Sequence, residues 1–233
     1  MRDKKNLVIL LLSTLFIIKM PSDGMRFVLW GLGGAFAAVC VDLAINRVFL
    51  KKWIIPKSAI ITGFIVAGIL DYNEPLFLII IFPSLAIISK YVIKYKTRHI
   101  FNPANFALFF AALFRMPLTW NIESNIYLII IIGLYLVYTI KKMPHILGFL
   151  IAFSLLFMLQ GINPLMLISW FFVFIMLIEP KTSGFGILRG ITFGMLVAAF
   201  SFLIFRFLPK YDLFISALFI TNLFSPVLDR IKK

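Results

Sequence analysis

The segment that decides the fold is RHIFNPANFALFFAALFR, residues 98–115, in which two asparagines flank a proline at the start of an apolar run. Pro103 suits the first position of a helix because its missing N–H is not needed there. Asn102 can accept hydrogen bonds from the free N–H groups of the first helical turn. The run ends at Arg115 after about a dozen residues, whereas a helix that crosses a membrane needs about 20. The sequence therefore predicts a short helix whose polar start faces protein, ligand or water, since unpaired backbone groups are costly in lipid.

The rest of the chain is equally apolar. Of its 233 residues, 62% are hydrophobic and 14% are charged, whereas about a quarter of the residues of a typical globular domain are charged. Hydrophobic segments follow one another at residues 6–20, 27–45, 59–70, 75–92, 103–114, 125–140, 146–160, 165–179, 190–208 and 212–227. This pattern predicts an all-α polytopic membrane protein, a single membrane domain over residues 1–233 with about ten transmembrane segments in the lipid bilayer.

The basic residues are concentrated at alternate ends of the predicted segments. The chain has 23 lysine and arginine residues and a net charge of +14. If the connections are counted from the N-terminus as zero, all but five lie at the two termini, in the even-numbered connections or in the residues that flank those connections. The five exceptions are Lys19, Arg26, Arg115, Arg206 and Lys210. By the positive-inside rule, both termini are predicted to be cytoplasmic in a multi-pass plasma-membrane protein. The predicted membrane topology thus accounts for most of the positive charge, and nucleic acid is not an expected partner.

The two halves of the chain, about 1–120 and 121–233, resemble each other in two places. The corresponding stretches are KSAIITGF (57–64) with KTSGFGIL (181–188) and FNPANF (101–106) with ITNLFSP (220–226). Because each half has five segments, the second half enters the membrane from the opposite side, which predicts two inverted five-helix repeats. The third, fifth and last segments are short or broken, and such segments at corresponding places indicate a binding site near the middle of the membrane.

Polar residues at the predicted helix starts define a candidate site. Ser58 precedes AIITGF, and Thr182 and Ser183 precede GFGILRG, so each is a capping residue type in a position like that of Asn102. If these helix starts converge, their N–H groups and partial positive charges suit an anionic or strongly hydrogen-bonding planar ligand. Alternatively, each residue is an ordinary cap at a membrane boundary.

Asp42 is an acidic residue within the second segment, where a charge is costly and usually has a partner or a role in a pathway. It either pairs with Arg47 or belongs to a cation or proton pathway. No metal site is expected. The single cysteine, Cys40, lies in an apolar run, and His99 and His145 lie in basic loops where we expect them to be solvated or to contact lipid headgroups.

Short motifs follow one another from residue 58 to the C-terminal end. They are Ser58-Ala59 with Thr62-Gly63, Phe101-Asn102-Pro103-Ala104, Glu179-Pro180-Lys181-Thr182-Ser183, Arg189-Gly190 with Gly194, and Asn222 with Pro226 and Asp229. In this order they resemble the motifs DGSA…TG, FNPA, DPxTS, RG…G and a final asparagine, proline and aspartate of the NqrB/RnfD family. This family comprises the large membrane subunits of the sodium-pumping quinone reductase and of the Rnf ferredoxin:NAD complex.

The resemblance implies a ten-helix fold of two inverted halves and a subunit of an ion-coupled electron transport complex, with the other subunits as partners. Members bind riboflavin and FMN, and FMN is attached covalently at an SGAT-type sequence that does not occur here. We therefore expect noncovalent flavin binding. The implied flavin-binding residues are Ser58, Thr62, Gly63, Asn102, Pro103, Asn105, Glu179, Lys181, Thr182, Ser183 and Asn222. Because the flavin carries the redox chemistry, no catalytic residue is expected, and any enzyme activity belongs to the whole complex.

Two other functions remain open on sequence alone. A channel or transporter for a small polar solute, including a flavin, would place the solute where the first interpretation places the cofactor. A scaffold would assemble partner subunits and bind no ligand.

Overall fold

Helices make up most of the protein. The computed structural model describes residues 2–49, 51, 55–95, 98–184 and 186–228, and in these ranges the prediction of an all-α fold is confirmed. A two-stranded antiparallel pair is formed by β1 (Lys94–Tyr95) and β2 (Arg98–His99). The α-helices are α1 (Arg2–Val48), α2 (Lys57–Ile69), α3 (Leu78–Val92), α4 (Pro103–Leu113), α5 (Ile126–Ile140), α6 (Met143–Met158), α7 (Ile187–Phe207), α8 (Leu213–Leu223) and α9 (Ser225–Leu228).

The first helix, α1, folds back on itself at Gly24. This residue has φ +76° and ψ 178°, a conformation that glycine adopts readily and other residues avoid. The ring of Phe16 stacks on Phe27 with 4.5 Å between centroids, and Gly31 also lies against Phe16. Along a straight helix, residues 16 and 31 would be about 22 Å apart. Thus α1 consists of two helices, residues 2–23 and 25–48, in agreement with two separate apolar segments in the sequence.

The predicted apolar segments coincide with α-helices, with one exception. The segment at 165–179 contains a 3-10 turn, Pro164–Met166, and a π-helix, Phe172–Met176. In the π-helix, the N–H of Leu177 donates to the carbonyl of Phe172 at 2.9 Å. Because every residue of the π-helix is buried, the apolar run has no periodicity that distinguishes one helix type from another.

The chain forms two compact units. The first unit contains Met1–Val92 and Pro103–Asn125, and the second contains Ile93–Asn102 and Ile126–Lys233. The first unit is built around contacts of α2 and α3 with α1, and the second around contacts of α6 and α8 with α7. Phenylalanine rings fill much of the interior of the second unit: Phe149, Phe153, Phe172 and Phe214 pack on one another.

Glycines allow two helices to touch backbone to backbone in each unit. In the first unit, a Cβ on Gly63 of α2 would meet the carbonyl oxygen of Gly34 and lie 2.6 Å from the Cα of Ala35 in α1. In the second unit, a Cβ on Gly194 of α7 would meet the carbonyl oxygen of His145 in α6. Close crossings at small residues are typical of helices packed in membranes.

Two helices in the described residues are long and apolar enough to cross a membrane by length and composition, Lys4–Val48 and Ile187–Phe207. The longer of the two contains the break at Gly24. The shorter apolar helices range from 11 residues in α4 to 16 in α6, below the roughly 20 residues of a full span. The two long helices support an association with a membrane, and the number of spans stays a prediction.

Candidate functional site

A short segment, residues 179–184, is the centre of a buried polar cluster in the second unit, and we call it the polar turn. The hydroxyl of Ser183 donates to the carbonyl oxygen of Glu179 at 2.8 Å, and the N–H of Ser183 donates to the same oxygen at 3.2 Å. The hydroxyl oxygen of Thr182 lies 3.3 Å from Oε2 of Glu179. Both hydroxyl side chains are buried. The polar turn is therefore closed by its own side chains.

The prediction that Thr182 and Ser183 cap a helix is wrong. Helix α7 begins at Ile187, and its N-cap is Gly186, which has φ +116° and provides no side-chain hydrogen bond. The two hydroxyls instead bond back to Glu179 and close the turn before the helix. Serine and threonine form such local turns as readily as they form caps.

The start of α6 holds the polar turn from a second side. Lys142 is the N-cap residue of α6, and its Nζ donates to the hydroxyl of Ser183 at 2.8 Å and to the carbonyl of Gly184. The Nε2 atom of His145 lies 3.0 Å from the carbonyl oxygen of Ser183 and 3.2 Å from Nζ of Lys142. Both basic side chains are fully buried. The expectation that His145 is solvated or contacts lipid headgroups is therefore wrong.

Charged side chains surround the polar turn. The guanidinium of Arg189 in α7 lies against Gly184, where an added Cβ would meet it. His99 is buried rather than solvated as we expected, and its Nε2 is 3.7 Å from Oε1 of Glu179. Burial, followed by the charge of Arg189, lowers the pKa of Lys142 from 10.5 to about 7. Lys142, in the connection between α5 and α6, is therefore only partly charged at neutral pH.

Asn222, near the C-terminal end of α8 in the second unit, carries a buried amide. Phe219, three residues earlier, stacks on Phe101 with 4.5 Å between centroids, and Ser225, three residues later, donates to the carbonyl of Thr182 at 2.5 Å. Ser225 lies in α9, the short helix that follows α8, so these two contacts bring the C-terminal end of α8 next to the polar turn. The side chain of Asn222 is fully buried, and neither Oδ1 nor Nδ2 has a hydrogen-bond partner among the residues that the structure describes.

The FNPA motif supplies further buried polar groups. Pro103 is the first residue of α4, as the sequence predicts. Asn102 is buried, and its Nδ2 donates to the carbonyl oxygen of Met176, the last residue of the π-helix, at 3.4 Å. Asn105, the third residue of α4, is fully buried and belongs to the first unit, apart from the polar turn. Lys181, in the middle of the polar turn, is exposed.

A second polar cluster surrounds Asp42 in the first unit. The carboxylate is buried, and its Oδ1 accepts hydrogen bonds from Nζ of Lys90 at 2.6 Å and from the hydroxyl of Tyr91 at 2.8 Å. Its Oδ2 accepts from Nδ2 of Asn46 at 3.1 Å. The sequence suggested Arg47, on the same helix, as a partner for Asp42. The structure provides the ion pair with Lys90, from α3.

The predicted capping role of Ser58 is wrong. Helix α2 already begins at Lys57, so Ser58 lies inside its first turn. The hydroxyl of Ser58 accepts a hydrogen bond from Nζ of Lys90 at 3.3 Å, which attaches it to the Asp42 cluster. Thr62 donates to the carbonyl of Ser58 at 2.9 Å, and Gly63 forms the helix crossing with α1. Thr62 and Gly63 therefore have structural partners within the first unit.

The predicted site residues are divided between the two units. Those of the first unit are Asp42, Ser58, Thr62, Gly63, Pro103 and Asn105, and those of the second are Asn102, Glu179, Lys181, Thr182, Ser183 and Asn222. The sequence analysis missed Lys142, His145 and Arg189, which line the polar turn. A signal was present, because only residues 141–142 separate α5 from α6, and so short a connection keeps Lys142 close to both helix ends.

Neither a protein-family model nor a curated protein matches the chain. Within the described ranges, no three His, Cys, Asp or Glu residues are grouped so that they could hold a metal ion. Asp229, the last residue of the motif series, lies outside the described residues. A function is therefore inferred from the contacts of the chain itself.

Proposed function

We propose that the chain is a membrane subunit of an ion-coupled electron transport complex of the NqrB/RnfD type, and that it binds riboflavin or FMN noncovalently at the polar turn. A bound flavin would supply the redox chemistry by accepting electrons and passing them on. In this proposal the apolar segments form about ten transmembrane segments in two inverted repeats, with both termini on the cytoplasmic side of the plasma membrane. Other subunits of the complex provide the electron donor and acceptor.

The buried amide of Asn222 is the observation that carries the proposal. An amide presents a donor and an acceptor side by side, which complements the imide edge of a flavin ring, where an N–H lies between two carbonyl groups. Leaving both amide groups buried without partners is costly. A ligand that satisfies the donor and the acceptor together is therefore favoured at this position.

The surroundings of Asn222 suit the same class of ligand. Phe219, three residues before Asn222 on α8, stacks on Phe101, and these rings offer apolar surface of the kind found in binding sites for planar rings. Arg189 and the partly charged Lys142 favour a ligand with negative or strongly polar groups, and the phosphate of FMN is one such group. These residues are placed to bind and orient a flavin, while the electrons reside on the cofactor.

The ion role is assigned in this proposal to Asp42. A buried carboxylate among apolar helices is costly and usually has a partner or belongs to a pathway. Lys90 now occupies the position next to Oδ1, at 2.6 Å. A proton or a small cation that reaches the carboxylate would replace the ammonium group as its counter-charge.

The proposal is tested by the absorption spectrum of the detergent-solubilised chain. We expect flavin absorbance that is released into solution on denaturation, and a lower flavin content in Asn102→Leu and Asn222→Ala. Equal flavin content in all three proteins would contradict the site. Colourless protein that transports labelled riboflavin into vesicles would instead support the transporter, and colourless protein without transport would support the scaffold.

A further inference from the structure

The Nε2 atom of His145 has two neighbours that require different proton positions. The carbonyl oxygen of Ser183, at 3.0 Å, can only accept, so this contact needs a proton on Nε2. A charged Lys142, with Nζ at 3.2 Å, can only donate, so this contact needs a bare Nε2. One ring nitrogen cannot satisfy both requirements at once. The two contacts therefore belong to two different protonation states of the pair.

The first state has a neutral Lys142. Its amine then has a lone pair, so the N–H of His145 on Nε2 can donate to the carbonyl of Ser183 without opposing a positive charge. The two N–H groups of the amine point to the hydroxyl of Ser183 and the carbonyl of Gly184. In this state His145 and Lys142 both hold the polar turn.

The second state has one more proton, taken from water, on Lys142. The charged amine donates to Nε2, so the ring proton of His145 moves to Nδ1, and the hydrogen bond to the Ser183 carbonyl is lost. Nδ1 is buried and has no hydrogen-bond partner among the described residues. A buried N–H without an acceptor is unfavourable, so this state is strained and holds the turn with fewer bonds.

We propose that Lys142 and His145 form a proton-binding site that controls the polar turn, so that proton uptake loosens the turn and releases its ligand, whereas proton loss closes it. The part that concerns the ligand rests on the proposed flavin site. No electron moves in this step, since a single proton is exchanged with water.

The surrounding charges set the pH at which the site works. Arg98 of β2, Glu179 of the polar turn and Arg189 of α7 act on the pair from neighbouring elements, and His99 of β2 lies against Glu179. Burial and the charge of Arg189 lower the pKa of Lys142 to about 7, and Glu179 acts in the opposite direction. The site therefore changes its protonation close to neutral pH.

Hydrogen exchange of the full chain without added flavin tests the proton site. Protection of the amides at 179–184, corrected for the intrinsic exchange rate, is measured from roughly pH 5.5 to 8.5. We expect protection to fall about tenfold as the pH decreases through about 7. Lys142→Met should abolish this step, and the matched control Lys141→Met, at an exposed neighbour, should retain it.

A second variant keeps the test decisive if Lys142→Met fails to fold. His145→Gln provides an amide that can donate to the Ser183 carbonyl and accept from Lys142 at the same time. It should fold and show protection that does not depend on pH. A step that is absent from the wild-type protein, or unchanged in His145→Gln, would overturn the proton site.

Riboflavin titrations at about pH 6 and about pH 8 test the linkage to the ligand. We expect binding about tenfold weaker at the lower pH in the wild-type protein and equal at both pH values in His145→Gln. Equal affinity in the wild-type protein would overturn the linkage. Absence of riboflavin binding at either pH, with the exchange step intact, would support the proton site and refute the proposed flavin site.

Discussion

Replacing Asn222 with alanine is expected to stabilise the ligand-free protein and to weaken riboflavin binding. The side chain is fully buried, and neither polar atom has a partner among the described residues. A buried donor or acceptor without a partner costs about 1–3 kcal/mol, so removing both recovers about 2–6 kcal/mol. Lost packing around the shortened side chain costs about 1–3 kcal/mol. The midpoints of these ranges, about 4 and about 2 kcal/mol, leave a net gain of about 2 kcal/mol, which corresponds to a melting temperature roughly 4–8 °C higher.

Riboflavin binding should become weaker in Asn222→Ala, although the ligand-free protein becomes more stable. Two hydrogen bonds worth about 1 kcal/mol each are lost with the amide, which weakens the affinity about 30-fold. Thermal unfolding in detergent gives the first quantity, and quenching of riboflavin fluorescence gives the second. Ser216→Ala is the matched control, because its buried hydroxyl on the same helix also has no partner among the described residues. It should raise the melting temperature less and leave the affinity unchanged. Destabilisation by Asn222→Ala, or equal affinity losses in both variants, would refute the reasoning.

Three further predictions concern stability. Lys90→Met removes the ammonium partner of buried Asp42 and should lower the free energy of unfolding by about 3–5 kcal/mol. A melting temperature like that of the wild-type protein would contradict a stabilising role for this ion pair. The pKa of Lys142 is about 7 in the fold and 10.5 when unperturbed, so between these values the unfolded chain binds more protons and stability should rise with pH. Below about pH 7 both states carry the proton and this contribution is constant; Lys142→Met should remove the rise, and a rise that persists would exclude Lys142 as its source. Gly63→Ala places a Cβ against the backbone of α1 and should cost about 1–3 kcal/mol. In Gly33→Ala the nearest atom to the new Cβ would be Cγ2 of Ile79 at 3.7 Å, so this control should be neutral or slightly stabilising. Equal losses of stability in the two variants would contradict the close crossing.

The positions of the helices were predictable because each apolar run, long or short, is bounded by polar residues. Pro103 marks the first residue of α4 because its ring fits that position and no other position inside the helix. The break at Gly24 falls in the polar stretch between two apolar segments. The π-helix could not be predicted, since a fully buried run carries no polar face from which a period could be read.

The polar contacts were less predictable, because residue type does not specify a distant partner. Ser58 and Thr182 are capping types, yet one contacts Lys90 and the other bonds to Glu179. Lys142 looked like one of many topology-determining lysines, and only the fold shows that it is fully buried. Asn222 was named as a site residue only through the resemblance of the final motif, and its role in binding stays a prediction.

The π-helix at Phe172–Met176 sets the rotation, about the helix axis, of the residues that directly follow it. Its wider winding adds one residue to a turn, and one residue corresponds to a rotation of about 100° in an α-helix. Deleting a single phenylalanine here would leave the hydropathy of the segment almost unchanged. The same deletion would rotate Glu179 about the helix axis and move its carboxylate away from Nε2 of His99, which precedes the π-helix in the chain, so the length of this run is constrained more tightly than its composition.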